Sequence, residues 1–367
     1  MQLGFFTMPI HPLDKDWRRS LAEDREAFIL ADKLGYSEGY VGEHSTDQAE
    51  NITSCMAFVA SLAYETKSIR LGTGTVNLPN AHPAAVASTI AMLDHMLDGR
   101  FNFGISPGGL LSDAEVFGNL DKNRTEMFVE AIDMILAIWR SEPPYDLHGR
   151  YWDISTAKTL IPEIGQGRLP KPLQAPHPPI IVTAVAPHSK GLMSAAARGW
   201  SPISANFLLP QWVATHWPMY AEGCRQANLK TDSSQWRVAR SVFVADDLRK
   251  AKEYVFGSSS PYRYYYSQIL AKMQRGGRSL LFKENASIPD EQVTVDSLLE
   301  KLVTWGTADK VADDLLAFRE TVGDFGTLLY AGKDWVDPTL SRRSMELMAT
   351  AVMPAVNRAL TTVSEAS

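Results

Sequence analysis

The stretch "LGTGTVNLPNAHP" at residues 71–83 runs from an apolar, strand-like entry through two glycines to two prolines. Glycine is common where the backbone turns sharply or comes close to another group, so Gly72 and Gly74 indicate that something lies against this segment. Pro83 stands where a helix begins, because its fixed φ suits the first helical turn. The stretch therefore predicts a strand, a tight turn and then a helix.

The same unit recurs along the chain. Helical patterns such as those at 17–34, 83–98 and 124–139 alternate with short β-prone segments. Eight alternating units predict an α/β fold, a (β/α)8 TIM barrel with insertions, and an open doubly wound sheet is the alternative. The strand candidates are residues 3–7, 39–42, 69–74, 101–106, 179–184, 202–205, 237–245 and 326–331.

Two stretches interrupt this alternation. Residues 143–178 are rich in proline and glycine and predict an insertion on the barrel rim. Residues 257–295 form a long excursion of helix and loop, and such excursions are often mobile lids over an active site. The aromatic run "YRYYY" inside it suits a packed helix face as well as a pocket wall. We expect one domain over 1–360 and a C-terminal tail at 361–367.

The composition excludes several classes of protein. The chain has 367 residues, 45% of them hydrophobic, with a formal net charge of −6, so a basic nucleic-acid-binding surface is not expected. Cys55 and Cys224 are the only cysteines and have no metal-ligand spacing, which predicts neither a disulfide framework nor a metal site. No apolar stretch is long enough to span a membrane, and no leader pattern is present, which favours the cytoplasm.

Glu43 and His44 follow the second strand, at the end where barrel active sites are built. An imidazole titrates near neutral pH, and a carboxylate beside it could hold it in place, so His44 is a candidate acid or base. A histidine taken alone is also compatible with a purely structural role.

Three further features could bind an anion. Ser106 precedes "PGG" after the fourth strand, and Arg124 opens a helix, where the backbone amides also favour negative charge. The turn after the fifth strand, with Ala186 and Ser189, leads into another helix and could cradle a phosphate. A surface arginine and an ordinary helix cap remain alternatives. Taken together, the features suit a phosphorylated planar cofactor at the carboxyl end of the barrel.

Several motifs resemble the bacterial luciferase-like flavin-dependent monooxygenases over nearly the whole chain, in particular the luciferase α subunit and the limonene-type and diketocamphane-type monooxygenases. The run "LDHMLDGRFNFGI" is the most specific of them. The motifs are "LGFFT" at 3–7, "EHS" at 43–45, "KSIRLGTGTVNLPNAHP" at 67–83, "LDHMLDGRFNFGISPG" at 93–108, "VFG" at 116–118, "VAPHS" at 185–189 and "WGTADKVADDL" at 305–315.

The resemblance implies an enzyme that uses reduced FMN and dioxygen. It implies a cis peptide between Gly74 and Thr75, in a bulge that supports the isoalloxazine ring, and it places His44 near the reactive edge of the ring. Glu43 would reach a ring atom or support the site. The phosphate of FMN would lie at Arg124 and at the turn of Ala186 and Ser189, and Ser106 would lie against the flavin.

The chain departs from the luciferase α pattern at two places. Ser106 and Pro107 stand where that subunit has cysteine and arginine, and Val185 and Ala186 stand where it has glutamate and serine. We therefore expect no light emission, but hydroxylation, epoxidation or Baeyer–Villiger insertion on a small apolar molecule through a flavin peroxide. The segment "GTG" lacks the spacing of a nicotinamide site, which is consistent with a separate flavin reductase.

The resemblance also implies a homodimer, since "ITSCMAFVASLAY" at 52–64 could pack against a second copy. Two other functions remain possible at this point. One is a deazaflavin-dependent oxidoreductase that transfers hydride, and the other is a non-catalytic flavin-binding partner subunit.

Overall fold

The computed structural model describes residues 1–366, with the side chains of residues 1–362. It contains a closed barrel of eight parallel strands with helices on the outside, which confirms the predicted TIM barrel. All eight strand candidates form barrel strands. They read as apolar runs because each is covered on both faces, by the barrel interior and by the helices.

The twelve strands in this range are β1 Gln2–Thr7, β2 Glu38–Val41, β3 Arg70–Thr73, β4 Val76–Asn77, β5 Phe101–Ser106, β6 Asp146–His148, β7 Asp153–Ser155, β8 Ile180–Ala184, β9 Ser201–Ser204, β10 Arg237–Val244, β11 Val303–Gly306 and β12 Thr327–Ala331. The α-helices are α1 Trp17–Lys33, α2 Cys55–Leu62, α3 Pro83–Met96, α4 Leu111–Val116, α5 Arg124–Arg140, α6 Lys190–Ala197, α7 Pro210–Val213, α8 His216–Gln226, α9 Leu248–Phe256, α10 Pro261–Arg275, α11 Val295–Leu302, α12 Ala308–Val322, α13 Pro338–Leu347 and α14 Met353–Ala366.

The barrel order is β12, β1, β2, β3, β5, β8, β9 and β10, and the pairing of β10 with β12 closes the ring. In a ring of eight, β12 therefore lies across the barrel from β5. The short strand β4 continues from β3 and pairs with the end of β5. The strands are parallel, so all their carboxyl ends open at one end of the barrel, where this fold builds its active sites.

Packing inside the barrel explains two of the conspicuous glycines. A Cβ added to Gly72 would lie 2.6 Å from the ring of Tyr40, and one added to Gly104 would lie 1.8 Å from the carbonyl oxygen of Thr73. Both positions thus require glycine for reasons internal to the barrel. At Gly74 an added Cβ would lie 3.0 Å from Tyr40 and would also be tight. The close approach indicated by the sequence is therefore made, at least in part, by the barrel's own side chains.

The two interruptions lie at opposite ends of the barrel. Residues 143–178 connect α5 to β8 and contain the antiparallel hairpin of β6 and β7. The side chain of Gln174 donates to the carbonyl oxygen of Phe101 at the start of β5 (2.8 Å), which ties this segment to the amino-terminal end of the strands. Residues 257–295 follow α9, the helix after β10, and they reach the active-site end, where Lys272 pairs with Glu50. They contain α10 and two short 3₁₀ turns.

The structure also contains elements that the sequence did not predict. Strand β11 pairs with the second half of β10 outside the barrel ring. It is only four residues long and directly follows α11, so its apolar residues continue the helical pattern. Helix α14 runs to Ala366, so the tail boundary predicted at 361 falls inside a helix, and residue 367 lies outside the described residues. None of the described helices has both the length and the apolarity that crossing a membrane requires.

Candidate active site

His44 lies three residues beyond the end of β2, at the carboxyl end of the barrel, with 13% of its side chain exposed. Its Nδ1 is 2.9 Å from a carboxylate oxygen of Asp113 in α4. Its Nε2 is 3.3 Å from a carboxylate oxygen of Glu50. The imidazole is thus held between two carboxylates that come from different parts of the chain.

Asp113 is a fixed anion. Its other oxygen accepts hydrogen bonds from the backbone N–H groups of Ser45 (3.1 Å) and Thr46 (2.9 Å) and from the hydroxyl of Thr46 (2.7 Å). Burial by itself would raise the pKa of Asp113, but the hydrogen bonds from His44 and Thr46 lower it below the ordinary value. The carboxylate therefore stays charged at neutral pH and orients the ring of His44.

This surrounding favours the protonated form of His44. Burial by itself would lower the pKa of His44, but the hydrogen bond to Asp113 and the charges of Glu50 and Asp113 raise it above the ordinary value. A protonated histidine can donate its proton to a developing oxyanion. The geometry thus suits a general acid whose orientation is set by Asp113.

Glu50 also connects this cluster to the excursion at 257–295. Lys272, near the end of α10, forms ion pairs with Glu50 and with Asp47. The carboxylate oxygen of Glu50 that faces His44 is buried and accepts no hydrogen bond of good geometry within the described part of the chain. The carboxylate of Glu50 therefore interacts both with His44 and, through Lys272, with α10.

Glu43 supports the backbone around the site. One carboxylate oxygen accepts hydrogen bonds from the backbone N–H and the thiol of Cys55, both at 3.0 Å. The other accepts from the backbone N–H of Asn77 at 3.1 Å. Both oxygens of Glu43 are thus used to join the loop after β2 to α2 and to β4. Glu43 is expected either to reach a ring atom or to support the site, and this arrangement fits support of the site.

The peptide bond between Gly74 and Thr75 is cis, as the resemblance implied. The hydroxyl of Thr75 donates to the hydroxyl of Ser106 (2.8 Å), which in turn donates to the side-chain oxygen of Asn77 (2.8 Å). The structure therefore brings Gly74, Thr75 and Ser106 together in one hydrogen-bonded layer where β3, β4 and β5 end.

Arg124 is the first residue of α5 and lies over the loop that follows Ser106. Its guanidinium donates to the carbonyl oxygen of Gly108 at 3.2 Å. It forms no ion pair with a carboxylate of residues 1–362, so most of its N–H donors have no protein acceptor. An arginine with unused donors at the start of a helix is suited to bind an anion.

The turn with Ala186 and Ser189 follows β8, the barrel neighbour of β5. Ser189 is the N-cap of α6, but its side chain accepts no hydrogen bond from the helix. The buried His216 donates from Nε2 to the carbonyl oxygen of Ala186 (2.9 Å) and accepts at Nδ1 from Ser204 (2.8 Å). Burial lowers the pKa of His216 to about 4, so it stays neutral and fixes the turn.

These groups fit FMN. Arg124 provides a cation for a phosphate, and the first backbone amides of α6 provide N–H donors. The two groups follow β5 and β8, which are adjacent strands. A third group, Arg278, donates to the carbonyl oxygen of Val185 (2.9 Å) in the same turn and comes from the excursion after β10. The layer of Gly74, Thr75 and Ser106 lies next to the turn of Ala186 and Ser189. It presents backbone and hydroxyl groups, and no large side chain, to a flat ring.

Sequence reasoning missed the partners of these residues. Asp113 and Glu50, which raise the pKa of His44, are 69 and 6 residues away along the chain and belong to no motif. Lys272 and Arg278 lie in a segment whose path cannot be followed from periodicity. The excess of charged residues in 43–50 is the one signal that was available for Glu50.

Comparison with known proteins gives the family. The model of the luciferase-like monooxygenases matches residues 1–324. The chain is 30% identical to 4-hydroxyprotoasukamycin monooxygenase of Streptomyces nodosus subsp. asukaensis, covering 98% of this chain and 93% of that protein. It is 26% identical to the oxygenase component of the flavin-dependent trigonelline monooxygenase of Acinetobacter baylyi, covering 97% and 95%.

A solved structure agrees with the fold. The oxygenating constituent of 3,6-diketocamphane monooxygenase of Pseudomonas putida, a type II Baeyer–Villiger monooxygenase in complex with FMN, superimposes with a TM-score of 0.87. The two chains are 27% identical, and the match covers 96% of this chain and 98% of the other. The resemblance drawn from the sequence motifs is confirmed, and this chain belongs to the luciferase-like monooxygenase family.

Proposed function

We propose that the chain is an FMN-dependent monooxygenase that uses reduced FMN and dioxygen to oxygenate a small, mainly apolar organic molecule. The observation that carries the proposal is the convergence of three features at the carboxyl ends of neighbouring strands. They are the Gly74–Thr75 segment, whose Thr75 hydroxyl donates to Ser106, the guanidinium of Arg124, which has no carboxylate partner among residues 1–362, and His44, which lies between Asp113 and Glu50. The FMN held by the related diketocamphane enzyme supports the same assignment.

The residues divide the work between binding and proton control. Gly74, Thr75 and Ser106 would hold the isoalloxazine ring, and Arg124 with the turn of Ala186 and Ser189 would hold the phosphate. When bound, reduced FMN supplies the electrons that activate dioxygen.

His44, oriented by Asp113, would donate a proton as negative charge develops on oxygen. Glu43 would keep the loop that carries His44 in place through its bonds to Cys55 and Asn77.

The excursion at 257–295 would act as the lid. Helix α10 lies at the active-site end of the barrel, where it contacts Glu50 and Asn206, and it buries Tyr262, Tyr265 and Tyr266. It is anchored at its far end by the ion pairs of Lys272 with Glu50 and Asp47. A closed lid keeps water from the reaction and so limits the loss of activated oxygen as hydrogen peroxide.

Two partners are included in the proposal. A separate flavin reductase would supply reduced FMN, as the names of the related oxygenase components suggest. A second copy of the chain would pack on the outer face of α2, where Ala57 and Ser61 are exposed and Tyr64 is 83% exposed. The inner face of α2, with Cys55, Phe58, Val59 and Leu62, is buried in the chain's own core. The cytoplasm, where reduced flavin is available, is the proposed compartment.

The proposal is tested by supplying the purified chain with chemically reduced FMN, reduced FAD or a reduced deazaflavin. We expect tight binding of reduced FMN, weaker binding of FAD, and oxygen uptake by this chain alone. Preferential binding of the deazaflavin without oxygen uptake would instead identify a hydride-transferring enzyme. Binding of flavin with no oxygenated product from any of a panel of terpenoids, cyclic ketones and aldehydes would favour a non-catalytic subunit.

A further inference from the structure

Lys333 follows the last barrel strand at the active-site end. In β12, Leu329 packs into the barrel interior with Tyr40 and Ile181. Side chains in a strand alternate between faces, so Ala331 follows Leu329 on the inner face, and Lys333 continues the same spacing beyond the strand. The residue thus stands at the mouth of the barrel, and neither the sequence motifs nor the proposed FMN site makes use of it.

The ammonium of Lys333 lies against aromatic rings and has no carboxylate partner. Its Nζ is 4.0 Å from the ring centroid of Tyr265 and 5.7 Å from that of Tyr262. Its hydrogen bonds go to the backbone carbonyl oxygens of Ala331 and Gly332, both at 3.2 Å. These two acceptors leave one N–H of the ammonium free.

The carboxylate next in sequence is already occupied. Asp334 lies 2.5 Å from His11 and 2.6 Å from Lys15. Across the side chains of residues 1–362, Lys333 forms no ion pair. Burial lowers the pKa of Lys333 to about 7, because nothing nearby compensates its charge. An acceptor brought by a ligand would therefore be bound with little competition from the protein.

The aromatic wall beside Lys333 is fixed. The hydroxyl of Tyr265 accepts a hydrogen bond from the side-chain N–H of Asn206 at 3.1 Å. Asn206 lies just beyond the end of β9. About two turns further along α10, Lys272 is paired with Glu50, the carboxylate that faces His44. The same helix thus covers Lys333 at one end and contacts the His44 cluster at the other.

Lys333 and Ser106 face the barrel mouth from opposite sides. Lys333 follows β12 and Ser106 ends β5, and these strands lie across the ring from each other. A ring held by Gly74, Thr75 and Ser106 would leave the space between itself and α10 for the substrate. Lys333 is the hydrogen-bond donor on that far wall.

We infer that Lys333 is a substrate-binding residue that donates a hydrogen bond to a carbonyl oxygen, so that the substrate is an apolar molecule carrying a ketone group. The ring of Tyr265, whose centroid is 4.0 Å from Nζ, lies beside it. The inference rests on the proposed function and narrows its substrate class. No bond is made or broken by Lys333: it orients the carbonyl and draws electron density toward its oxygen.

A purely structural lysine is the competing explanation, and Lys310 provides the contrast. Lys310 also lies over an aromatic ring, 5.0 Å from the centroid of Trp305, but it is paired with Asp314 at 2.6 Å and lies on the exposed side of α12. A cation placed for stability usually has such a partner, because an unpaired buried charge is unfavourable. Lys333→Met should therefore leave the melting temperature unchanged or higher.

The test compares norcamphor and norbornene, two molecules of one bicyclic skeleton that differ in the carbonyl group. Kinetics with reduced FMN and oxygen are measured for the wild type, Lys333→Met, Lys333→Arg and the control Lys310→Met. We expect the wild type to prefer the ketone. Lys333→Met should raise KM for norcamphor about 10–100-fold, the value of a hydrogen bond to a charged group, and change norbornene less than about twofold. Lys333→Arg should recover part of the loss.

A binding measurement without turnover accompanies the kinetics. The infrared carbonyl stretch of norcamphor should shift to lower frequency on the wild-type chain and on Lys310→Met, but not on Lys333→Met. A wild type without preference for the ketone, equal losses for both probes in Lys333→Met, or an unchanged carbonyl frequency would each overturn the inference. Failure of the proposed function is recognised separately, because the wild type would then not consume oxygen with reduced FMN.

Discussion

Replacing His44 with asparagine removes the proton donor of the proposed reaction with little damage to the site around it. Asp113 keeps its three hydrogen bonds from Ser45 and Thr46 and loses one charge-assisted bond, worth about 1.5–3 kcal/mol of stability. A domain with about 5–15 kcal/mol of stability remains folded after such a loss. Loss of a positioned acid reduces the rate about 10²–10⁴-fold, which raises the barrier by about 2.7–5.5 kcal/mol. Catalysis should therefore suffer far more than folding.

The assay measures oxygen uptake, hydrogen peroxide and product together, with reduced FMN in excess. We expect His44→Asn to bind reduced FMN normally and to consume oxygen, but to release peroxide in place of product. The control is His148→Asn. That histidine also lies between two carboxylates, Asp146 at 3.0 Å and Asp153 at 2.7 Å, but on the exposed hairpin of β6 and β7. The reasoning is refuted if His44→Asn couples oxygen to product as well as the control does.

Three other predictions follow from named contacts. Arg124→Ala should weaken binding of reduced FMN by about 1.5–3 kcal/mol, since it removes a charge-assisted phosphate contact. Arg150→Ala, which removes an exposed arginine paired with Glu126, should leave the dissociation constant unchanged, and equal constants for both variants would contradict the phosphate site. Lys272→Met should free the end of α10 from Glu50 and Asp47. The expected results are faster amide hydrogen exchange in residues 261–275 and more hydrogen peroxide released per molecule of product. Unchanged exchange would argue against this anchor. Burial acts to lower the pKa of His11, but Asp24 and Asp334 raise it to about 9, so the stabilisation is fully present below pH 6.5 and is lost as the pH rises through 9. The wild type should therefore lose up to about 3 kcal/mol of unfolding free energy over this range relative to His11→Gln, and parallel denaturation curves at all pH values would disprove the coupling.

The barrel could be predicted from the sequence because its strands and helices carry local signals. Each barrel strand is a short apolar run, and helix boundaries coincide with residues such as Asn123, which caps α5, and Gly35, which has a φ of 80° after α1. These signals depend only on nearby residues. Strand β11 was missed because its four residues merge with the helical pattern of α11.

The candidate site was predicted only in its motif-bearing half. The motifs identified Gly74, Ser106 and Arg124, and the structure brings them to neighbouring strands. The raised pKa of His44 depends instead on Asp113 and Glu50, whose approach is created by the fold and leaves no spacing in the sequence. For the same reason, Lys333 could not be recognised as an unpaired cation before its neighbours were known.

The packing of the barrel gives Gly72 and Gly74 neighbours that the sequence could not identify. Gly72 is required by the ring of Tyr40 inside the barrel, and this contact is between β2 and β3. A sequence pattern shows that the backbone must come close to something, but the identity of the neighbour depends on which strands pair.

We propose that this chain transfers an atom of dioxygen to an organic molecule by means of reduced FMN. The most direct measurement supplies the purified chain with photochemically reduced FMN, ¹⁸O₂ and norcamphor, without a reductase, and analyses the product by mass spectrometry. We expect a product with one ¹⁸O atom inserted, formed by the wild type and in much smaller amount by His44→Asn. A product without label, or no oxygen uptake with reduced FMN, would contradict it.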